Sequence, residues 1–148
     1  MKQILKTLML LIAFSLTTVH GYAQNNIDIN LLQGSWTFDY DTSLANIDAQ
    51  SKKRVSKMKP AIKNMLKQSY RNRQLTFFKN GEYLQVFSNG KEQTGNWSDR
   101  GFVLEIKNNK GRGKRFRVVL LSDSKLVLRP LTKGKLKAVF TNWYLIKN

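Results

Sequence analysis

The chain has 148 residues, with 26 Lys and Arg against 9 Asp and Glu, no Cys, and a single His, His20. Without Cys there are no disulfides and no thiolate chemistry, and beyond His20 the His-dependent triads, Cys–His dyads and common zinc sites are excluded. The net charge of +17 favours anionic partners such as phosphate headgroups, polyanionic glycans, nucleic acid or acidic proteins.

Residues 1–23 read as a signal peptide. Lys2 and Lys6 form a positive start, Leu5 to Val19 a mostly apolar run too short to span a bilayer comfortably, and Gly21-Tyr22-Ala23 a small-x-small cleavage signal. With no Cys at the cleavage point a lipoprotein anchor is not expected. The mature protein is expected to begin at Gln24, to be periplasmic or secreted, and to form one domain over residues 24–148.

Gln24 to Asn30 form a polar lead-in, and Leu31 and Leu32 suit a short helical turn. Gly34-Ser35-Trp36-Thr37-Phe38-Asp39-Tyr40 then reads as a first strand from about Ser35 to Tyr40. Trp36, Phe38 and Tyr40 share one face, because side chains alternate along a strand. Gly34 permits close approach where the strand begins, and Trp36 suits a plug closing a barrel end once its indole N–H finds a partner. Residues 46–71 change period. Val55, Met58, Ile62, Met65, Leu66 and Tyr70 recur mostly at spacings of three and four, the stripe of an amphipathic helix. Asp48 or Ser51 can cap it, and Pro60 kinks or divides it. Its other face carries Lys52, Lys53, Arg54, Lys57, Lys59, Lys63 and Lys67. That composition fits a lid over a barrel or a helix for anionic membrane surfaces or polyanions.

From Leu75 onward the chain alternates in short runs broken by Asn80-Gly81, Asn89-Gly90, Ser98 to Gly101, Asn108 to Gly113, Ser122 to Ser124 and Lys133-Gly134. Asn-Gly between alternating runs is a strong hairpin signal, since a type I′ turn needs positive φ at both central residues. The runs predict strands at 75–79, 82–87, 92–97, 102–107, 116–121, 125–129 and from Leu136 to about Ile146. With the first strand these make eight in sequential order. The predicted fold is all-β with a helical insertion at about 46–71: an eight-stranded antiparallel up-and-down barrel.

Gly34-Ser35-Trp36, Leu75 to Gly81, Thr94-Gly95-Asn96-Trp97 and Trp143-Tyr144-Leu145-Ile146, set in this meander, resemble the lipocalin-like proteins of the calycin type, in particular small exported bacterial domains. The resemblance covers roughly residues 31–147. It implies a barrel that binds a small apolar or amphipathic molecule without catalysis. It also implies a basic residue from the last strand packed over the Trp36 indole, for which Lys147 and Arg129 are the candidates. The helical insertion is reminiscent of the lid of fatty-acid-binding proteins, a family with ten strands.

Alternation places Phe102, Leu104 and Ile106 on one face, and likewise Phe116, Val118 and Leu120. On the last strand Ala138, Phe140 and Tyr144 oppose Val139, Trp143 and Leu145, and either set can point inward. The expected barrel-interior ligand residues are Trp36, Phe38, Phe102, Leu104, Phe116, Val118, Leu128 and Phe140. For an anionic headgroup or polyanion the expected residues are Lys63, Lys67, Arg112, Arg115 and Arg117, with Lys110, Lys114, Lys133, Lys135 and Lys137 adding to a basic mouth. The guanidinium groups of Arg112 and Arg115 are the better carboxylate or phosphate clamps. Asp39 and Asp41 share a strand face and could pair as in glycoside chemistry or a calcium site. Alternating acids at a strand end usually face solvent, so no catalytic residue, metal site or cofactor is assigned. Tyr70, Phe77 and Phe78 fit core periodicity better than a stacking platform, so no specific nucleic acid is expected. The expected function is non-enzymatic binding of a hydrophobic or anionic amphiphile, fatty-acid-like or lipid-like, by a monomer. The alternative is an envelope interaction protein with a filled barrel, binding polyanions or another protein through its basic helix and loops.

Overall fold

Short alternating runs joined by tight Gly turns leave each strand one apolar face, and closing the sheet on itself buries all those faces together while removing the edges. The computed structural model describes residues 26–131 and 138–148. Eight antiparallel strands follow one another: β1 (Gly34–Phe38), β2 (Gln74–Phe77), β3 (Glu82–Val86), β4 (Glu92–Arg100), β5 (Val103–Asn108), β6 (Gly113–Leu121), β7 (Lys125–Pro130) and β8 (Trp143–Lys147). Each pairs with the next and β8 pairs with β1, which closes an up-and-down barrel. Gly81 and Gly90 take φ of 84° and 77°, but Asn80 and Asn89 do not take positive φ, so these are not the expected type I′ turns; each Gly N–H instead donates three residues back, to the Phe78 and Phe87 carbonyls.

Several strand limits differ from the sequence expectation. β1 ends at Phe38, because Asp39 turns away to cap a helix, its carboxylate accepting from the Thr42 N–H at 3.0 Å and the Thr42 hydroxyl at 2.6 Å. Asp39 and Asp41 therefore form no carboxylate pair, and Asp41 instead lies 4.0 Å from Arg71 on the surface. β4 runs on to Arg100 and β6 starts at Gly113, since both find ladder partners on β5. β8 begins only at Trp143. Residues 1–23, the Lys133-Gly134 turn, Lys133, Lys135 and Lys137 lie outside the described residues.

The helical insertion begins earlier than expected and is divided into α2 (Tyr40–Ala45), α3 (Ala49–Ser56) and α4 (Pro60–Tyr70), after a single-turn α1 (Ile29–Leu32) in the lead-in. Pro60 divides it. The ring occupies the first turn of α4, where its missing N–H is not needed, and Lys59 before it is extended. Asp48 caps α3 by accepting from the Ser51 N–H at 2.7 Å, and its other oxygen accepts from the Thr141 hydroxyl at 2.9 Å. This ties the helices to the chain ahead of β8.

One end of the barrel is sealed and full. Trp36, Leu32, Leu104, Leu126 and Leu128 are buried there. The Trp36 indole N–H donates to the Leu32 carbonyl at 2.8 Å. Of the two candidates for the basic residue over that indole, Lys147 fills the position. Its ammonium lies 5.1 Å from the ring centroid and donates to the Leu31 carbonyl at 3.0 Å, whereas Arg129 bonds Asn142. Gly34 makes this possible: its φ is 115°, and a Cβ there would stand 3.1 Å from Lys147 Cε.

Candidate ligand-binding site

The opposite half of the barrel, beneath α4, is hollow. A cavity of about 240 Å³ is lined by the apolar side chains of Leu75, Ile106, Phe116 and Trp143 and by Tyr83, Gln85, Gln93, Arg112 and Lys114. An apolar cavity of about 150 Å³ accepts a benzene ring, so this space suits a ring or a short chain with a polar head. Two clefts lead from it. One, of about 860 Å³, lies between α4 and the β3–β4 and β5–β6 turns and shares Phe87, Gln93, Asn108 and Arg112 with the cavity. The other, of about 640 Å³, shares Lys114, Phe116 and Trp143 and adds Tyr70, Pro130 and Leu131.

Strand alternation puts the polar groups inside. Gln85 and Tyr83 stand two residues apart on β3, and Lys114 stands two before Phe116 on β6. Arg73 extends β2 by one residue, its carbonyl accepting from the Phe38 N–H at 2.8 Å. Asn72 takes φ of 60° in the turn that ends α4, a conformation Asn tolerates. Arg73 is buried, with its guanidinium carbon 4.2 Å from the Tyr70 ring centroid, 5.0 Å from Phe87 and 5.7 Å from Trp143. One terminal nitrogen donates to the Ser69 carbonyl at 2.8 Å. Burial lowers the Arg73 pKa, partly offset by Tyr70, and the guanidinium stays charged at neutral pH. Lys114 is accessible from the mouth, with its ammonium 5.9 Å from the Trp143 centroid. Partial burial of that ammonium, and then the like charge of Arg73, lower its pKa.

Of the expected interior residues, Phe116 lines the cavity. Trp36, Leu104 and Leu128 are fully buried but do not line the cavity. Phe38 and Phe140 join an aromatic cluster at the mouth, 5.3 Å apart, with Tyr70 within 5.3 Å of both. Phe102 is a correction: it is 45% exposed, because it sits in the turn before β5 and alternation begins only at Val103. Val118 is half-buried near the sealed end and lines a shallow groove with Phe102 and Leu31. Among the expected anion-binding residues, Arg112 borders the cavity and Arg115 borders a cleft. Arg117 is exposed, its strand phase being opposite to that of Phe116, and Lys63 and Lys67 are exposed on α4. Arg112 thus joins Tyr83, Gln85, Gln93 and Lys114 in the polar lining of the cavity, while Arg73 borders the larger cleft beside it. A signal exists in the sequence for three of them, which stand two residues from an apolar neighbour: Arg73-x-Leu75, Gln85-x-Phe87 and Lys114-x-Phe116. Among the described residues no group of three or more Asp, Glu, His or Cys is placed to hold a metal.

No family model matches the sequence, and no curated protein matches it. Among solved structures it is similar to the crystal structure of a lipocalin-like protein from Bacteroides uniformis ATCC 8492. The two are 18% identical, with 80% of this chain and 99% of that chain covered and a TM-score of 0.45. The barrel assignment rests on this chain's own closed ladder, and its chemistry rests on its own residues.

Proposed function

We propose that the protein is an exported, monomeric, non-enzymatic binder of a small amphiphilic molecule, held in the hollow half of the barrel. The observation that carries this reading is the cavity itself, lined by both apolar and polar side chains, with two clefts opening from it. Native mass spectrometry on the exported protein tests it. An adduct of defined mass that survives a high-salt wash, leaves on denaturation and is lost in Ile106→Trp, which fills the cavity, is the expected result. Bare protein in both forms would count against the reading. The same spectrum reports whether the exported chain begins at Gln24.

A second reading has its own support on α4. This helix has no buried residue and carries Ile62 and Met65 at 47% and 61% exposure beside Lys59, Lys63 and Lys67. That pattern suits an anionic membrane surface. Cosedimentation with phosphatidylglycerol vesicles that falls as salt rises, and that is lost in Ile62→Ser/Met65→Ser, is the expected result.

A further inference from the structure

We propose that the hollow half of the barrel is a carboxylate site, in which Arg73, Gln85, Lys114 and Tyr83 hold the anion and the apolar side chains hold the ring or chain attached to it. The inference rests on the reading above, that the cavity takes a ligand, and names the group that ligand presents.

Two buried donors carry it. Arg73 Nε and Gln85 Nε2 have no hydrogen-bond partner, on side chains 7% and 6% exposed. Buried donors in folded proteins are almost always paired, and here two are left open, Gln85 in the cavity and Arg73 on the larger cleft that shares Phe87 and Gln93 with it. Tyr83 contributes a third donor. Its oxygen already accepts from Gln93 Nε2 at 2.7 Å, so its own proton is free to point elsewhere. Lys114 adds a second cation, its ammonium 5.9 Å and the Arg73 guanidinium carbon 5.7 Å from the Trp143 ring centroid.

No acid lines the cavity itself, although Glu92 borders the larger cleft with Arg73 and Glu105 the smaller one with Lys114. All 9 acids of the chain fall within the described residues; none of them lines the cavity, and none pairs with Arg73. Enclosing a guanidinium without an anion is unfavourable, and an incoming anion supplies what is missing. The size and shape of the site limit the rest. The cavity is about 240 Å³, and Leu75, Ile106 and Phe116 line it with the donors. The head must therefore be compact and anionic, and the part next to it apolar. Those are the properties of a carboxylate on a ring or an aliphatic chain.

Isothermal titration calorimetry on the exported protein tests this with decanoate, benzoate, decanol and inorganic phosphate. Decanoate is expected to bind at least about tenfold more tightly than decanol, the usual worth of hydrogen bonds to a charged group. Gln85→Leu, which replaces the amide with an apolar side chain of similar size, is expected to weaken decanoate about tenfold and leave decanol unchanged. Lys114→Met does the same and also flattens the salt dependence. Benzoate matching decanoate identifies a small aromatic acid as the natural type, and decanoate alone identifies a chain acid; either result supports the site. Equal binding of decanol and decanoate, with no effect of Gln85→Leu and loss of both in Ile106→Trp, overturns the carboxylate site and leaves the cavity reading standing. Phosphate binding as tightly as decanoate also overturns it. Carboxylate binding that ignores Ile106→Trp, or no binding of either acid, overturns both readings. Urea unfolding of each variant separates lost binding from lost fold.

Discussion

Replacing Lys147 by Met keeps the stem that packs beside Gly34 and removes only the charge at the sealed end. Two interactions disappear with it: the 3.0 Å bond to the Leu31 carbonyl and the contact 5.1 Å above the Trp36 ring. A hydrogen bond from a charged donor contributes about 1.5–3 kcal/mol, and a cation over an indole about 0.5–1 kcal/mol at accessible sites. Lys147 is half-buried, so water replaces part of both, and a loss of about 2 kcal/mol is expected. With a urea m-value of about 1–3 kcal/mol per molar, the unfolding midpoint should fall by about 1 M while m is unchanged. A double-mutant cycle with Trp36→Phe then isolates the ring contact, with a coupling of about 0.5 kcal/mol or more expected. A midpoint shift worth under about 0.5 kcal/mol would refute the closure as drawn. A cycle without coupling would refute the cation–π part alone.

Gly95→Ala should unfold or severely weaken the barrel, by about 3 kcal/mol or more. Its Cβ would stand 2.0 Å from the Lys107 carbonyl oxygen and 2.7 Å from the Tyr83 ring; a thermal midpoint close to wild type would refute this. Leu104→Ala should cost about 2–5 kcal/mol in urea titration, whereas Phe102→Ser should stay within about 0.5 kcal/mol. Equal losses would return Phe102 to the interior. The Lys114 ammonium, which shares the cavity with Arg112 and Tyr83 and feels the like charge of Arg73, has its folded pKa lowered below the ordinary 10.5. Between those two values the unfolded chain binds more protons, so stability should rise with pH across that window, and the penalty is complete below the folded pKa. Urea midpoints of wild type and Lys114→Met followed into the alkaline range check this, since parallel curves would remove Lys114 from the hollow end.

Much of the sealed end was legible in the sequence because its residues, Lys147 apart, are apolar or special in their backbone. Trp36 alternates with the polar Ser35 and Thr37, Gly34 announces a close approach, and the Asn-Gly pairs place two of the turns. The strand order followed from those signals, and the closed ladder agrees with it. Strand ends were less legible where a polar residue changed partner. Asp39 left the strand to cap a helix, and Gly113 to Arg115 resembled loop yet found partners on β5. Phe102 misled for a related reason: an aromatic side chain in a turn obeys no strand period.

The hollow end was hidden by the same rule that exposed the sealed one. Alternation identifies an inward face by its apolar residues, so an inward Gln, Lys or Arg is indistinguishable from a solvated one unless its phase is carried from a neighbour. Carrying the phase from Leu75 back to Arg73 and from Phe116 back to Lys114 brings two cations to the same end of the barrel. Tyr83 and Gln85 reach that end from β3 in the same way. A sequence selected only for stability would fill these positions with Leu or Met, since packing them apolar is neutral or stabilising compared with enclosing unpaired polar groups. The sealed end, where every buried side chain apart from the hydrogen-bonded indole is aliphatic or aromatic, shows that this chain can do so. The polar lining at the other end is therefore better accounted for by what enters the cavity than by what holds the barrel together.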